Sequence, residues 1–230
     1  MDTTDTASRP VKRGRPGYDQ DAVLRIAVEA FNEYGYDATS MGKLADRLGI
    51  SKSAIYHHVP SKEDLPRLAL DAALIPLEAV NTEVRAHAGS ADERLEFFLR
   101  STIRILIEKR PYVTLLLRLR GNTELERQAL ERRRAMDRQL AELVTAAQSD
   151  GKLRDDLEPR STARLLFGTI NSIVDWYRVD GPLEASALEE QAVSAALPRF
   201  AHGSEVGQCR IPRMRLPAFG REPHRVLLAT

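Results

Sequence analysis

A chain of 230 residues with 43% hydrophobic and 29% charged side chains can build one or two domains with a real core, and its composition is ordinary for a soluble globular protein. With 34 Lys and Arg against 33 Asp and Glu, the net charge is +1, so any affinity for nucleic acid must come from local placement of charge and not from bulk attraction. The single cysteine, Cys209, excludes an intramolecular disulfide framework and a multi-cysteine metal site; no apolar run reaches membrane-spanning length and Met1 to Ser8 is polar, so a reducing, cytoplasmic setting is expected.

Residues 1–17 read as a flexible basic arm, with Arg9, Lys12, Arg13 and Arg15 among Pro10, Gly14, Pro16 and Gly17. Such a segment is either a solubilising tail or an arm that reaches a minor groove or a phosphate. The first predicted helix opens with Asp19 and Asp21, where negative charge suits the helix dipole. Val23, Ala27, Ala30, Phe31 and Tyr34 form its inner face, and Gly35 ends it. Phe31 and Tyr34 are expected in the core, bracing the helices that follow.

Residues 39–62 are the most informative stretch. Met41, Leu44, Ala45 and Leu48 recur at helical spacing and give a two-turn helix one apolar stripe. Gly49 permits the left-handed backbone of a tight turn, and Ser51 is placed to cap the next helix. That second helix keeps only Ile55 and Val59 for a core and leaves Lys52, Ser53, Tyr56 and His57 facing out. Pro60 stops it, and Ser61 with Asp64 opens a further helix as a capping box. Two short helices on a glycine turn, the second rich in donors, describe a helix-turn-helix whose second member enters a major groove. Lys43, Arg47, Lys52 and Lys62 against Asp46 leave positive charge where phosphates would lie.

The run Phe31, Tyr34-Gly35-Tyr36-Asp37-Ala38-Thr39-Ser40-Met41, then Leu48-Gly49-Ile50-Ser51-Lys52, then Tyr56-His57-His58-Val59-Pro60-Ser61-Lys62-Glu63-Asp64-Leu65 resembles the amino-terminal domain of the TetR/AcrR family of bacterial regulators. The resemblance covers roughly Pro16 to Val80; beyond it the chain matches mainly in helix layout.

Residues 65–80 read as a longer helix leading away from the head. Pro66 falls just past its first turn, at some cost, and Pro76 should kink or stop it. Ser90 to Glu93 forms a capping box for a helix with Leu95, Phe98, Leu99, Thr102 and Leu106 on one face, closed by Pro111. A short apolar helix follows over residues 112–120. Thr123 and Glu126 frame a long helix to Ser149, with Leu125, Ala129, Met136, Leu140, Leu143, Val144 and Ala147 inward and Arg132-Arg133-Arg134 as a solvated face. Pro159 suits the first turn of the next helix, where Ala163, Leu166, Phe167, Ile170, Val174 and Tyr177 line up. Ser186 and Glu189 are expected to cap a last helix from Ala187 to about Leu197. No run alternates as a strand should.

The fold class is therefore all-α: a three-helix helix-turn-helix head at residues 18–64 on a larger helical effector-binding and dimerisation domain at residues 65–202, with a mobile basic tail over 203–230. Leu165, Leu166, Phe167, Gly168, Ile170 and Ile173, then Leu188, Ala192, Val193, Ala195 and Ala196, are apolar around much of two helices, which must bury more than one side. Two copies packed as a four-helix bundle would do so, and the resembled family dimerises this way. Two-fold symmetry would place paired recognition helices about one DNA turn apart on a near-palindromic site.

The resemblance implies DNA contacts from Ser40 and Met41 at the start of the first motif helix. It adds Ser51, Lys52, Ser53, Ala54, Tyr56, His57 and His58 in the second, and Lys62 beyond it. Lys52, Lys62 and Tyr56 would hold phosphates, Ser53 and His57 would read base edges, and Ala54 would touch a thymine methyl. It also implies a small-molecule effector in the body, with Leu99, Ile103, Leu116, Met136, Phe167, Ile170 and Asn171 as candidate lining. Asn171-Ser172-Ile173-Val174-Asp175-Trp176-Tyr177-Arg178, before Asp180-Gly181-Pro182-Leu183, looks like a segment of relatives that respond to CoA thioesters, for which Arg118 and Arg120 offer phosphate partners; otherwise Trp176 and Tyr177 fill the dimer core. The adjacent histidines lack a spaced carboxylate or cysteine partner, so no metal, no cofactor and no catalytic role is expected. The expected function is a ligand-responsive transcriptional regulator, most simply a repressor; the competing class is a helical adaptor that binds proteins and uses the head for packing only.

Overall fold

The computed structural model describes residues 19–197, which form helices joined by turns with no strand among them. The basic arm over 1–17 and the tail over 203–230, with Cys209, lie outside the described residues.

Helix α1 (Gln20–Tyr34) starts where the Asp19 carboxylate accepts the Ala22 amide at 2.7 Å. It buries Val23, Leu24, Ala27, Val28, Ala30 and Phe31. Tyr34 departs from expectation and is 54% exposed. The helix ends there, Gly35 turns the chain at φ 87°, and Tyr36 comes back to pack edge-on against Phe31 at 5.2 Å. The turn closes on Thr39, fully buried, whose hydroxyl donates to the Gly35 carbonyl at 2.8 Å. Helices α2 (Met41–Leu48) and α3 (Lys52–Tyr56) complete the head.

Helix α4 (Asp64–Ala86) is longer than its apolar pattern suggests. Ser61 caps it, accepting the Asp64 amide at 3.2 Å and donating to the Asp64 carboxylate at 2.9 Å. Pro66 is its third residue, where the missing N–H belongs to the unbonded first turn and costs little. Pro76 neither stops nor ends it: the helix runs on for ten residues. The bond to the Ala72 carbonyl is lost, but the Arg132 guanidinium spans the site from α7. It reaches Asp71 at 2.7 Å on one side of the proline and Glu78 at 2.7 and 2.8 Å on the other. Arg132 is thus a long-range clamp and not part of a solvated face.

The body continues with α5 (Ala91–Glu108), α6 (Arg110–Leu117), α7 (Glu124–Ser149), α8 (Pro159–Trp176) and α9 (Ala185–Ala196). Glu93 accepts the Ser90 amide at 2.8 Å to open α5. Pro111 does not close α5; it is the second residue of α6, so the two helices abut at Lys109. Thr123 accepts the Glu126 amide to open α7, and the Glu126 carboxylate gathers the Gly121 and Asn122 amides at 2.8 and 2.9 Å. The expected Ser186 and Glu189 cap is absent. Helix α9 begins at Ala185 without a side-chain cap bond, because Glu189 is turned to Arg104 and Arg100 of α5 at 3.1 and 3.6 Å.

Helix α5 is the centre of the body, with Leu95, Phe98, Leu99 and Ile103 fully buried among α4, α7, α8 and α9. Head and body meet where α1 packs on α4 and α6. Both ends of α6 grip the end of α1: Asn32 Nδ2 donates to the Pro111 carbonyl at 2.8 Å, and Arg118 donates to the Asn32 carbonyl at 2.6 Å. A guanidinium there also suits the negative end of the α1 dipole.

The clamp is testable. Arg132→Gln removes bonds to two carboxylates on another helix and is expected to cost about 1–2 kcal/mol in urea unfolding, the range between an exposed ion pair and a charge-assisted hydrogen bond. Arg134→Gln, whose partner Glu131 lies on the same exposed helix face, should stay within roughly 0.5 kcal/mol of the parent.

Candidate nucleic-acid interface and effector cavity

The head positions a very short helix by burying what little of it is apolar. Ser40 accepts the Lys43 amide at 3.2 Å to start α2, which sinks Met41, Leu44, Ala45 and Leu48 into the core. Gly49 is left-handed (φ 66°, ψ 31°), returning its own amide and that of Ile50 to the carbonyls of Asp46 and Ala45. Ser51 then accepts the Ala54 amide at 3.2 Å and starts α3. Only Ile55 of α3 and Val59 beyond it are buried, at 0% and 1% exposure. Ser51, Lys52, Ser53, Tyr56 and His57 are exposed on the opposite side, with Ala54 and His58 half-buried beside them. Met41 is a correction among the predicted contacts: its side chain is buried, so only its amide in the first turn of α2 is left for a phosphate.

The cations sort by what holds them. Arg47 is turned away from the outer face and pairs with Glu33 of α1 at 2.7 Å and Glu29 at 4.0 Å. That pairing holds the Glu33 carboxyl below its usual range. Lys43 Nζ is tied to the Ala38 carbonyl at 2.7 Å. Lys52 makes no ion pair with a described residue and lies across Gly42, where an added Cβ would meet its Cε at 3.2 Å. Lys62 sits over the Tyr36 ring, 4.4 Å from its centre, a cation–π contact that presents the ammonium from a fixed perch. Burial, then Glu63 and Asp37, raise the Tyr36 hydroxyl above its ordinary pKa. Sequence reading placed Lys52 and Lys62 among the candidates but gave no sign of Gly42 or Tyr36 as their supports.

In the body, α4, α5, α6, α7 and α8 line a partly open, largely apolar cavity. Leu116, Met136, Phe167 and Asn171, expected to line it, do so together with Leu74, Leu77, Thr102, Leu106, Val113, Leu117, Arg133 and Asp137. Leu99, Ile103 and Ile170 do not; they are closed into the packed core at no more than 1% exposure. The cavity is narrow, about 40 Å³, room for a few waters at roughly 10–15 Å³ each. A larger ligand must push its walls apart. Arg118 and Arg120 border neither this cavity nor the cleft beside α8, and Arg118 is committed to α1. Tyr177 is buried in the protomer's own core, whereas Trp176 is half exposed. Among the described residues no three His, Cys, Asp or Glu side chains converge as metal ligands would, and no helix is long and apolar enough to cross a membrane.

Comparison with known proteins gives this geometry a context. The profile described as bacterial regulatory proteins, tetR family, matches residues 23–67, and that described as tetracyclin repressor-like, C-terminal domain, matches residues 88–199. A crystal structure of a TetR transcriptional regulator family member from Streptomyces coelicolor A3 is 46% identical, over 76% of this chain and 89% of that one, with a TM-score of 0.68. The HTH-type transcriptional repressor KstR2 of Mycolicibacterium smegmatis is 26% identical over 198 residues, 84% of this chain and 93% of the relative. The fatty acid metabolism regulator protein of Bacillus subtilis is 25% identical over 187 residues, covering 80% and 95%.

The seat of Lys52 can be probed without touching the lysine. Gly42→Ala crowds the tip of the flexible Lys52 side chain and makes ordinary contact with Ser40 Oγ at 3.5 Å, and alanine favours a helix over glycine by up to about 1 kcal/mol. The melting temperature should hold or rise while affinity for DNA falls, read by thermal unfolding alongside a gel shift.

Proposed function

Because the chain belongs to the TetR family of bacterial regulators, we propose that it is a transcriptional repressor that binds a near-palindromic operator as a homodimer and releases it when a hydrophobic metabolite, a CoA thioester in the first instance, enters the body. The family is one of regulators, not of enzymes. The observation that carries the reading is the outward face of α3, a row of donors held by two buried aliphatic side chains. Lys52, Lys62 and Tyr56 are assigned to phosphates, Ser53 and His57 to base edges, and Ala54 to a thymine methyl. Ser40, the Met41 amide, Ser51 and His58 flank them.

Dimerisation is assigned to α8 and α9. Leu165 and Trp176 stand 71% and 52% exposed on α8, with Val179 at 67% just beyond it, and the open space beside Gly168 leaves room for close approach of a second helix. Apolar side chains so placed are costly in water and are covered when a second copy packs α8 and α9 against them.

Release follows from the narrow cavity. A ligand that needs more room displaces walls formed by α4, α6, α7 and α8, and α4 and α6 are the helices that hold α1. It therefore binds better to a body whose heads sit differently, and by linkage disfavours the operator-bound state. An apolar lining suits an acyl chain, and one relative is named for fatty acid metabolism.

Gel shifts on DNA flanking the gene test the assignment. Binding should be sequence-selective and fall with salt by about 0.9 log units per log unit for each phosphate neutralised. Lys62→Ala should weaken binding to all sequences and lower that slope by about 1, whereas His57→Ala should also change the preferred base. A protein with no selective shift would instead be an adaptor that uses its head for packing.

A further inference from the structure

Helix α8 divides its surface in two. Ala163, Leu166, Phe167, Ile170, Ile173 and Val174 are buried in the protomer's own core. The opposite face carries Arg164, Leu165, Gly168, Ser172, Asp175 and Trp176, all exposed. Neither Arg164 nor Asp175 makes an ion pair with a described residue. In its own chain Arg164 stands at the cleft beside α7, where Arg134, Arg138 and Arg160 join it and arginines outnumber carboxylates. It is therefore a cation with every reason to seek a carboxylate elsewhere.

The order of these side chains gives the face a direction. Arg164 and Asp175 are about three turns apart and lie on one flank of the face; Leu165 and Trp176, also about three turns apart, lie on the other. Gly168 and Ser172 run between the flanks, and a Cβ added at Gly168 would meet nothing within 4 Å. When two such faces pack antiparallel about a two-fold axis, each flank meets the same flank of the other copy with its ends exchanged. Arg164 then stands opposite Asp175 of the second copy, twice, and Leu165 opposite Trp176, twice. Packed parallel, the flanks cross over. Arg164 would face Leu165 and Asp175 would face Trp176, which covers charges without giving them partners. Past the end of α8, Arg178 and Asp180 carry one charge of each sign and leave this balance unchanged.

We propose that α8 packs antiparallel on α8 of a second copy, with Arg164 of each protomer paired to Asp175 of the other, and that these two pairs select the partner. The inference rests on the dimer reading above and names the direction of packing and the residues that choose who packs. Leu165 and Trp176 supply apolar area that any similar helix could cover, so they attract without discriminating. The charges discriminate: a helical chain with the same apolar face but a cation in place of Asp175 would meet Arg164 with like charge and be turned away.

Sedimentation velocity on the full-length protein over a concentration series reads the pairing without DNA or ligand. Arg164→Asp sets carboxylate against carboxylate at both contacts, and Asp175→Arg sets cation against cation. Each should weaken self-association about tenfold or more. An equimolar mixture of the two variants restores opposite charges at both contacts and should dimerise within about threefold of the parent, as should the chain that carries both substitutions. Both side chains are exposed, so the protomer should keep its helix content, which far-UV circular dichroism checks. A parent that is monomeric at micromolar concentration would sink the dimer reading and the pairing with it. A parent dimer indifferent to both reversals, or folded variants whose mixture associates no better than its components, would sink the pairing alone.

Discussion

Everything the head presents depends on Ile55 and Val59. A helix of five residues cannot sustain itself in water, since the bonds it closes do not repay the ordering of its backbone. Helix α3 exists because Ser51 supplies its first missing acceptor and because these two side chains are buried, with α3 packed on α2. Its outward donors carry no packing of their own, so their positions are fixed from behind. A substitution on the exposed face of α3 therefore leaves the buried pair and the glycine turn undisturbed.

Charge in the head is organised by the same economy of supports. Four cations lie between Lys43 and Lys62, yet two are spent on the protein: Lys43 closes onto a carbonyl before α2, and Arg47 ties α2 to α1 through Glu33. The remaining two are given a seat, Lys52 over the backbone at Gly42 and Lys62 over the Tyr36 ring. A chain of net charge +1 can hold a polyanion only if its free cations are few and placed. Here pairing subtracts the cations that would act at random.

What could be read from the sequence follows the range of the interaction. The caps at Ser51, Ser90 and Thr123 are contacts between residues three apart, and each is found where local chemistry puts it, whereas the equally local Ser186 and Glu189 cap gives way to ion pairs with Arg100 and Arg104 on another helix. The outward residues of α3 were legible for the same reason. Periodicity names a helix face but not where its partner stops, so Tyr34 was assigned to a core that ends at Phe31 and is closed by Tyr36. Pro76 breaks a helix in isolation, but here α4 runs through it, spanned by Arg132 from α7, a partner too distant in the chain for local pattern to reveal. The cavity was the least legible feature. Leu99 and Met136 are alike in the sequence, and only the meeting of five helices decides that one closes the core and the other faces the space.

One turn of α7 joins these two themes. Arg132 grips α4 on both sides of Pro76, while Arg133, Met136 and Asp137 border the cavity. A ligand that moves this turn therefore acts at once on the stretch of α4 whose own hydrogen bonding is weakest. The proline gives α4 a place to bend, and the ion pairs decide whether it does. Because the cavity holds a few waters at most as it stands, a ligand large enough to matter cannot bind without disturbing that turn. On the proposed reading the coupling between body and head would need no separate pathway, because a ligand making room for itself at this turn would act on the clamp as well as on the cavity wall.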